Sequence, residues 1–177
     1  MLTLILGGAR SGKSSFAARL ALSLSPSPVY VATAQVGDED FAARVRRHQA
    51  DRGPEWTTIE EPRALGSLEL EGRVVVVDCA TLWLSNFFGD FAQDIEKTLG
   101  AANSELDLLL ARNNRYFIVS NEVGLSLHAQ TEIGRRFVDL QGFFNQELAR
   151  RARTVAFMVA GIPWLVKGAL PSPAEGP

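Results

Sequence analysis

The stretch Gly7-Gly8-Ala9-Arg10-Ser11-Gly12-Lys13-Ser14 fits G-x-x-x-x-G-K-[ST], the pattern of a loop that cradles nucleotide phosphates. The apolar run 2–6 before it predicts a buried strand, and apolar residues spaced by four across 15–24 predict a helix after it. The glycines permit a tight turn with inward-facing N–H groups, and the helix N-terminus adds positive potential. Because the motif lies between a strand and a helix, triphosphate binding is a better interpretation than an accidental glycine-rich turn.

Several side chains in and beyond this loop have predicted chemical roles. Lys13 would reach the β- and γ-phosphates, Ser14 would coordinate Mg²⁺, and Arg10 would add a second cation. Four β-branched residues, Val74-Val75-Val76-Val77, indicate a strand buried on both faces, and Asp78 follows them. An aspartate in that position holds Mg²⁺ in many nucleotide-binding proteins. We therefore predict Ser14 and Asp78 as metal ligands.

The composition limits the class of protein. A chain of 177 residues suffices for one α/β domain and is short for two. With 46% hydrophobic and 21% charged residues it is typical of a globular protein, and a net charge of −2 provides no basic field for nucleic acid. One cysteine, Cys79, excludes an internal disulfide framework and, with no secretory signal, predicts a cytoplasmic protein. No apolar stretch approaches the roughly 20 residues of a membrane span.

Alternating strand and helix patterns predict an α/β fold in three layers, like that of P-loop NTPases. The central sheet would be mostly parallel, with helices on both faces. We expect one nucleotide-binding domain over residues 1–167 and a disordered tail over 168–177. The predicted strands cover 2–6, 29–32, 74–78, 116–121 and 154–160, with an extended segment at 56–62 and an edge strand at 162–167 where Pro163 is tolerated. Helices are predicted over 15–24, about 38–52, 64–70, 79–86, 95–110 and 131–151.

Polar residues follow several predicted strands. Thr33-Ala34-Gln35 follows the second strand, Asp78 ends the strand of valines, and Asn121-Glu122 follows the strand after that. In a parallel sheet the carboxyl ends of the strands share the edge at which ligands bind. These residues are therefore predicted to lie beside the phosphate loop.

His48 lies on the predicted helix 38–52. Arg44 and Arg52 are four residues before and after it, so all three side chains lie close together. Flanking cations bias a histidine towards its neutral form, which has a nitrogen lone pair, and the arginines could bind phosphate oxygens. From the residues alone, a half-buried structural histidine is the favoured interpretation and a nucleophile is the alternative.

The sequence distinguishes between classes of triphosphate chemistry. A regulatory GTPase would have Asp-x-x-Gly after the metal strand and an Asn-Lys-x-Asp motif, but Asp78 precedes Cys-Ala-Thr and the second motif does not occur. Asp139-Leu140-Gln141-Gly142 matches the first pattern within a predicted helix, so we do not interpret it as a switch. A small-molecule kinase fits the length and layout best.

Further motifs along the chain resemble one family, the bifunctional adenosylcobinamide kinase/adenosylcobinamide-phosphate guanylyltransferases of cobalamin biosynthesis. The most specific blocks are Asp78-Cys79-Ala80-Thr81-Leu82-Trp83-Leu84-Ser85-Asn86 and Ser120-Asn121-Glu122-Val123-Gly124. Others are the phosphate loop, Tyr30-Val31-Ala32-Thr33-Ala34, the segment from Arg44 to Trp56-Thr57-Thr58-Ile59-Glu60, Asn145-Gln146 and Ala160-Gly161-Ile162-Pro163. The loop after Gly124 departs from the family pattern, which leaves a single-activity kinase or nucleotidyltransferase, or a non-catalytic nucleotide switch, as alternatives.

The resemblance implies two reactions. The family phosphorylates adenosylcobinamide with ATP or GTP, and then transfers GMP from GTP to adenosylcobinamide phosphate through a guanylylated histidine, releasing pyrophosphate. It implies His48 as that histidine, with Lys13 and Asp78 as the other catalytic residues. It also implies Mg²⁺ with the nucleotide and a homo-oligomer, as in trimeric relatives. The implied nucleotide-binding residues are Gly7, Gly8, Ala9, Arg10, Ser11, Gly12, Lys13, Ser14, Thr33, Ala34, Gln35, Arg44, Arg52, Glu60, Asp78, Asn121 and Glu122.

Overall fold

The computed structural model describes residues 1–35, 53–126 and 128–172. Its strands are β1 (Leu2–Gly7), β2 (Val29–Ala32), β3 (Thr57–Glu60), β4 (Val74–Asp78), β5 (Arg115–Val119), β6 (Thr154–Val159) and β7 (Ile162–Lys167). They form one sheet in the order β3-β2-β4-β5-β1-β6-β7. All neighbouring strands in it are parallel except β6 and β7, which pair antiparallel. The prediction of a mostly parallel sheet with an edge strand at 162–167 is confirmed.

Helices cover both faces of the sheet. They are α1 (Lys13–Leu24), α2 (Ala80–Asp90), α3 (Ile95–Leu110) and α4 (Glu132–Arg151). Successive residues of a strand point to opposite faces. In β1, Ile5 therefore packs with Phe16 of α1, whereas Leu4 belongs to the core shared with Trp83 of α2 and Phe144 of α4. This arrangement confirms the prediction of three layers.

The strand register places the carboxyl ends of several strands, and the polar residues predicted there, at the same edge of the sheet. Asp78 lies opposite Ala32 of β2 on one side and Val119 of β5 on the other. Ala32 also lies opposite Glu60 of β3. The carboxyl ends of these strands therefore meet at a single edge, the edge at which β1 passes into the phosphate loop.

Two helix predictions are wrong in extent. The segment predicted as a helix over 64–70 forms only a 3₁₀ turn, Leu65–Ser67. At Gly66 a Cβ would lie 2.5 Å from Leu108 Cβ, so α3 packs too closely for a covering helix to form there. The helix predicted over 79–86 continues to Asp90, because Phe87 and Phe88 are buried in the core.

The end of the chain was predicted to be disordered from residue 168. Thr154 Oγ1 donates a 2.6 Å hydrogen bond to Ala169 O, Arg115 Nη1 donates to Ser172 O at 3.2 Å, and Leu170 packs against the core beside α1. This segment thus has defined contacts as far as Ser172. None of the helices in the described ranges is long and apolar enough to cross a bilayer.

Candidate active site

The backbone of the phosphate loop adopts conformations that its glycines permit. Gly12, the N-cap of α1, has φ of 91°, and at Gly7 a Cβ would lie 2.7 Å from Met158 O and from Ser11 Oγ. The turn after β6 supports the loop, because Gly161 N donates to Ser11 O at 3.0 Å. The loop is therefore held between α1 and the β6–β7 hairpin.

Lys13 is the first residue of α1 and is buried. Its Nζ donates a 2.5 Å hydrogen bond to Gly8 O, which keeps the ammonium inside the loop. Burial lowers the pKa of Lys13, and the electrostatic effects of Cys79 and Asp78 oppose this shift. The electrostatic effect of Asp78 on Lys13 indicates that the two side chains lie near each other at this edge of the sheet.

Asp78 ends β4, and its Oδ2 accepts a 2.6 Å hydrogen bond from the Tyr30 hydroxyl. A carboxylate has about four lone-pair sites, so this bond leaves oxygen available for a cation. Within the described ranges no three acidic, histidine or cysteine side chains cluster as a complete metal cage. The carboxylate of Asp78 fits Mg²⁺, which binds one or two protein oxygens and completes its shell with phosphates and water.

Thr33 and Cys79 hold the segment after β4 in place. Thr33 Oγ1 donates to Cys79 O and accepts from Cys79 N, both at 2.8 Å, across a cis Asp78–Cys79 peptide bond. Asn86 Nδ2 donates to Thr33 O at 2.9 Å and to Pro62 O at 2.8 Å. Thr33 binds the Cys79 backbone through its hydroxyl, and its own N–H donates to Asp78 O. It therefore positions the chain at Asp78.

The Cys79 thiol does not act as a nucleophile in this environment. The residue is buried, and this burial together with the Asp78 charge raises the pKa of the thiol to about 12. The reactive form of cysteine is the thiolate, which is scarce at neutral pH with such a pKa.

Asn121 and Glu122 lie next to the loop. Glu122 N donates to Gly7 O at 3.2 Å, and Asn121 receives support from Thr81, whose Oγ1 accepts from Asn121 N and Nδ2 at 3.1 Å. From α4, Asn145 Nδ2 donates to Asn121 O at 3.0 Å and to Glu122 Oε1 at 2.9 Å. The structure thus brings the phosphate loop, Asp78 and Asn121–Glu122 to one edge of the sheet.

The other predicted site residues have different positions. Gln35 is exposed at the last described position before residue 53, and Ala34 is half-buried beside it. Glu60 is exposed at the end of β3, two strands from Asp78. His48, Arg44 and Arg52 lie outside the described residues. Their predicted roles stay predictions.

Comparison with known families decides the assignment. The family model described as cobinamide kinase / cobinamide phosphate guanyltransferase matches residues 3–166. This chain belongs to that family. The bifunctional adenosylcobalamin biosynthesis protein CobP of Pseudomonas aeruginosa is 43% identical over 172 residues, which cover 95% of this chain and 98% of CobP. The bifunctional adenosylcobalamin biosynthesis protein CobU of Escherichia coli is 33% identical over 182 residues, which cover 94% of this chain and all of CobU.

A solved structure agrees with the predicted fold. An ATPase from the type III secretion system of pathogenic bacteria matches with a TM-score of 0.56 at 11% identity, covering 89% of this chain and 51% of that ATPase. Likeness at this identity concerns the fold alone. It confirms the P-loop NTPase-like architecture of this cobinamide kinase/guanylyltransferase family member.

Sequence reasoning missed the residues that hold the predicted ones in position. Tyr30 contacts Asp78, and Gln141 and Asn145 of α4 lie beneath Asn121–Glu122. A usable signal was present: Gln141 and Asn145 are four residues apart on the buried face of the helix that also buries Phe144. Buried amides require partners, so this pair predicts a polar network.

Proposed function

We propose that this chain catalyses both reactions for which its family is named. It would phosphorylate adenosylcobinamide with ATP or GTP and then transfer GMP from GTP to adenosylcobinamide phosphate, releasing pyrophosphate. One observation carries the proposal: Lys13, Asp78 and Asn121–Glu122 meet at the edge where β1 enters the phosphate loop. Family membership and matches covering nearly the full length of two bifunctional relatives support it.

In the kinase step the acceptor hydroxyl oxygen attacks the γ-phosphorus and the nucleoside diphosphate leaves. Loop N–H groups and the buried Lys13 hold the β- and γ-phosphates, while the α1 N-terminus adds positive potential. Ser14 and Asp78 would hold Mg²⁺, which supplies charge neutralisation for the phosphates when it is bound. The proton of the hydroxyl passes to a base at this edge of the sheet, and Glu122 is the proposed base because its backbone N–H donates to Gly7 O of the loop.

In the guanylyltransferase step His48 is the proposed nucleophile. Its neutral imidazole attacks the α-phosphorus of GTP, a P–N bond forms and pyrophosphate leaves. The phosphate oxygen of adenosylcobinamide phosphate then attacks the same phosphorus, and the P–N bond breaks to restore the imidazole. The support is the sequence spacing Arg44-x-x-x-His48 shared with the family, with Arg44 and Arg52 as proposed phosphate contacts.

We also propose an oligomeric state and a cellular location for this protein. The β7 strand has exposed apolar residues, with Ile162 69%, Trp164 67% and Val166 61% accessible. An apolar sheet edge of this kind favours association between copies, which supports a homo-oligomer such as a trimer. We infer one domain over residues 1–167 and a cytoplasmic location, where ATP and GTP are available.

A product assay tests the proposal. Purified protein is incubated with adenosylcobinamide, Mg²⁺ and ATP, and then with GTP. The corrinoids are separated by chromatography, and their masses are measured by mass spectrometry. We expect adenosylcobinamide phosphate first and adenosylcobinamide-GDP after GTP is added. Accumulation of the phosphate alone would identify a single-activity kinase, and recovery of unchanged adenosylcobinamide would contradict the proposal.

A further inference from the structure

A groove runs between the 3₁₀ turn Val123–Leu125 and α4. Its inner part has a volume of about 240 Å³ and is lined by residues that include Glu122, Gln141 and Gly142. Its outer part has a volume of about 350 Å³ and reaches His128 and Arg135. The two parts share lining residues from both walls, so the groove is continuous and has the size of a small-molecule site.

The floor of the groove includes an amide whose orientation is fixed by its neighbours. Glu122 Oε1 only accepts, so the Asn145 atom facing it is Nδ2, and Asn145 Oδ1 faces the other way. That oxygen receives Gln141 Nε2 at 2.9 Å, and the same nitrogen donates to Ser120 Oγ at 3.0 Å. The network therefore holds the Glu122 carboxylate at the inner part of the groove.

The Gln141 side chain is fully buried, and its Oε1 has no hydrogen-bond partner among the described residues. Because a ligand in the groove cannot reach a fully buried atom, the contribution of Gln141 is to hold Asn145, which in turn binds the Glu122 carboxylate.

The charged groups of the inner part are acidic. Among the described residues that line it, Glu122 and Asp139 supply the ionisable side chains, and both are acceptors. Val123, Val138 and Phe143 supply apolar surface, and Phe143 is 53% exposed. The inner groove therefore fits a ligand that presents N–H donors and apolar carbon, and it disfavours a phosphate.

The groove also leads to the phosphate loop. Glu122 lines its inner end, and Glu122 N donates to Gly7 O, the first residue of the loop. A ligand in the groove would thus direct one end towards the γ-phosphate.

We propose that this groove is the subsite for the corrinoid acceptor, whose peripheral carboxamides bind Glu122 and Asp139. The assignment rests on the proposed function, which supplies cobinamide as acceptor. Cobinamide carries primary carboxamides, each with two N–H donors, around an apolar ring, and one arm ends in the hydroxyl that is phosphorylated. The groove holds that edge of the corrinoid while the hydroxyl arm passes Glu122 towards the loop.

A pair of matched glycine substitutions tests this assignment. At Gly142 on α4 an added Cβ would meet no described atom within 4 Å, so Gly142→Leu introduces a side chain at the groove from an open position, and leucine suits a helix. Gly100→Leu is the control, because Gly100 lies on α3, is equally open and is remote from the groove. We expect Gly142→Leu to raise the KM for adenosylcobinamide about tenfold, since lost hydrogen bonds to charged groups cost about 1.5 kcal/mol or more. The KM for ATP should stay as in Gly100→Leu.

A second variant acts from the opposite wall. At Gly124 an added Cβ would lie 3.8 Å from Val138 Cγ1, an ordinary contact, so Gly124→Leu enters the same space from the 3₁₀ turn. Equal corrinoid KM values in wild type and in both groove variants would overturn the subsite while leaving the proposed function intact. Wild-type protein that turns over no adenosylcobinamide would overturn both.

Discussion

Tyr30 donates its hydroxyl proton to Asp78 Oδ2 at 2.6 Å, from the strand next to the one that Asp78 ends. This bond fixes the carboxylate proposed to hold Mg²⁺, and Thr33 fixes the backbone just beyond it through Cys79. The proposed metal ligand is thus held in two ways, through its side chain and through the backbone that follows it.

Replacing Tyr30 with phenylalanine should weaken the response to Mg²⁺. Removal of a bond that orients a metal ligand commonly costs about 10–100-fold in metal affinity or activity. We expect the Mg²⁺ concentration for half-maximal kinase activity to rise in Tyr30→Phe, as measured by titration at saturating ATP. Tyr116→Phe is the control, because Tyr116 donates to Leu109 O in the core, remote from the site. Identical Mg²⁺ titrations for the two variants would contradict the role of Tyr30.

Asn145→Asp should damage the network beneath Asn121–Glu122. The new carboxylate would lose the bonds that Asn145 donates to Asn121 O and Glu122 Oε1, and would place like charge beside Glu122. We expect a loss of about 1–3 kcal/mol in unfolding free energy and a higher KM for nucleotide.

Asn114→Asp is the matched comparison for that variant. Asn114 is also fully buried and donates from Nδ2 to Leu70 O and the Tyr116 hydroxyl, but it lies at the opposite end of β5. Both variants should unfold at lower temperature, and only Asn145→Asp should change the nucleotide KM. A KM that changes equally in both would show that the effect follows lost stability and not lost positioning.

The sequence predicts those features that depend on residues close together in the chain, and it does not predict contacts between distant residues. The four valines before Asp78 predict a fully buried strand, and the glycines predict the loop, because both signals are local. The Tyr30–Asp78 bond joins residues 48 positions apart and depends on the register of β2 against β4. Periodicity does not specify that register.

Local patterns also failed where packing decided the outcome. The segment predicted as a helix over 64–70 is held as a 3₁₀ turn by α3, whose Glu105 Oε2 accepts from Gly66 N at 2.8 Å. Phe87 and Phe88 lie beyond the predicted end of the helix at residue 86, but both are buried in the core as part of α2. The prediction that Asp139–Gly142 lies in a helix is confirmed by α4.

Acid should destabilise the protein through Glu147. Arg150 and Arg151 lower the pKa of this carboxyl from 4.5 to about 2, with Arg150 Nη2 at 2.6 Å as the leading contact. A depressed pKa gives stability that is present above pH 4.5 and is lost as the pH falls towards 2. We expect Glu147→Gln to be less stable than wild type at pH 7, with the difference shrinking to nothing near pH 2. Urea unfolding at several pH values measures this.

The control for the acid experiment is Glu71→Gln, at an exposed glutamate. Exposed charges contribute little to stability, so this variant should keep the pH dependence of wild type. A stability difference for Glu147→Gln that is the same at pH 7 and pH 2 would contradict the ion-pair explanation.

Lys13→Ala should abolish both reactions, since one lysine is proposed to hold the triphosphate in each. Circular dichroism checks that the variant is folded. Kinase turnover and GTP-dependent guanylylation are then assayed separately. If either rate remained at the wild-type level, a second triphosphate site would have to exist.

The most direct measurement is protein labelling with GTP that carries a radioactive α-phosphate. We expect label on wild-type protein that is acid-labile and base-stable, as a phosphoramidate is, and we expect the labelled group to transfer to adenosylcobinamide phosphate when that acceptor is added. His48→Ala should acquire no label, while His128→Ala should be labelled as wild type is. Acid-labile, base-stable label that persists on His48→Ala, or wild-type protein that forms no covalent guanylyl adduct, would contradict the account.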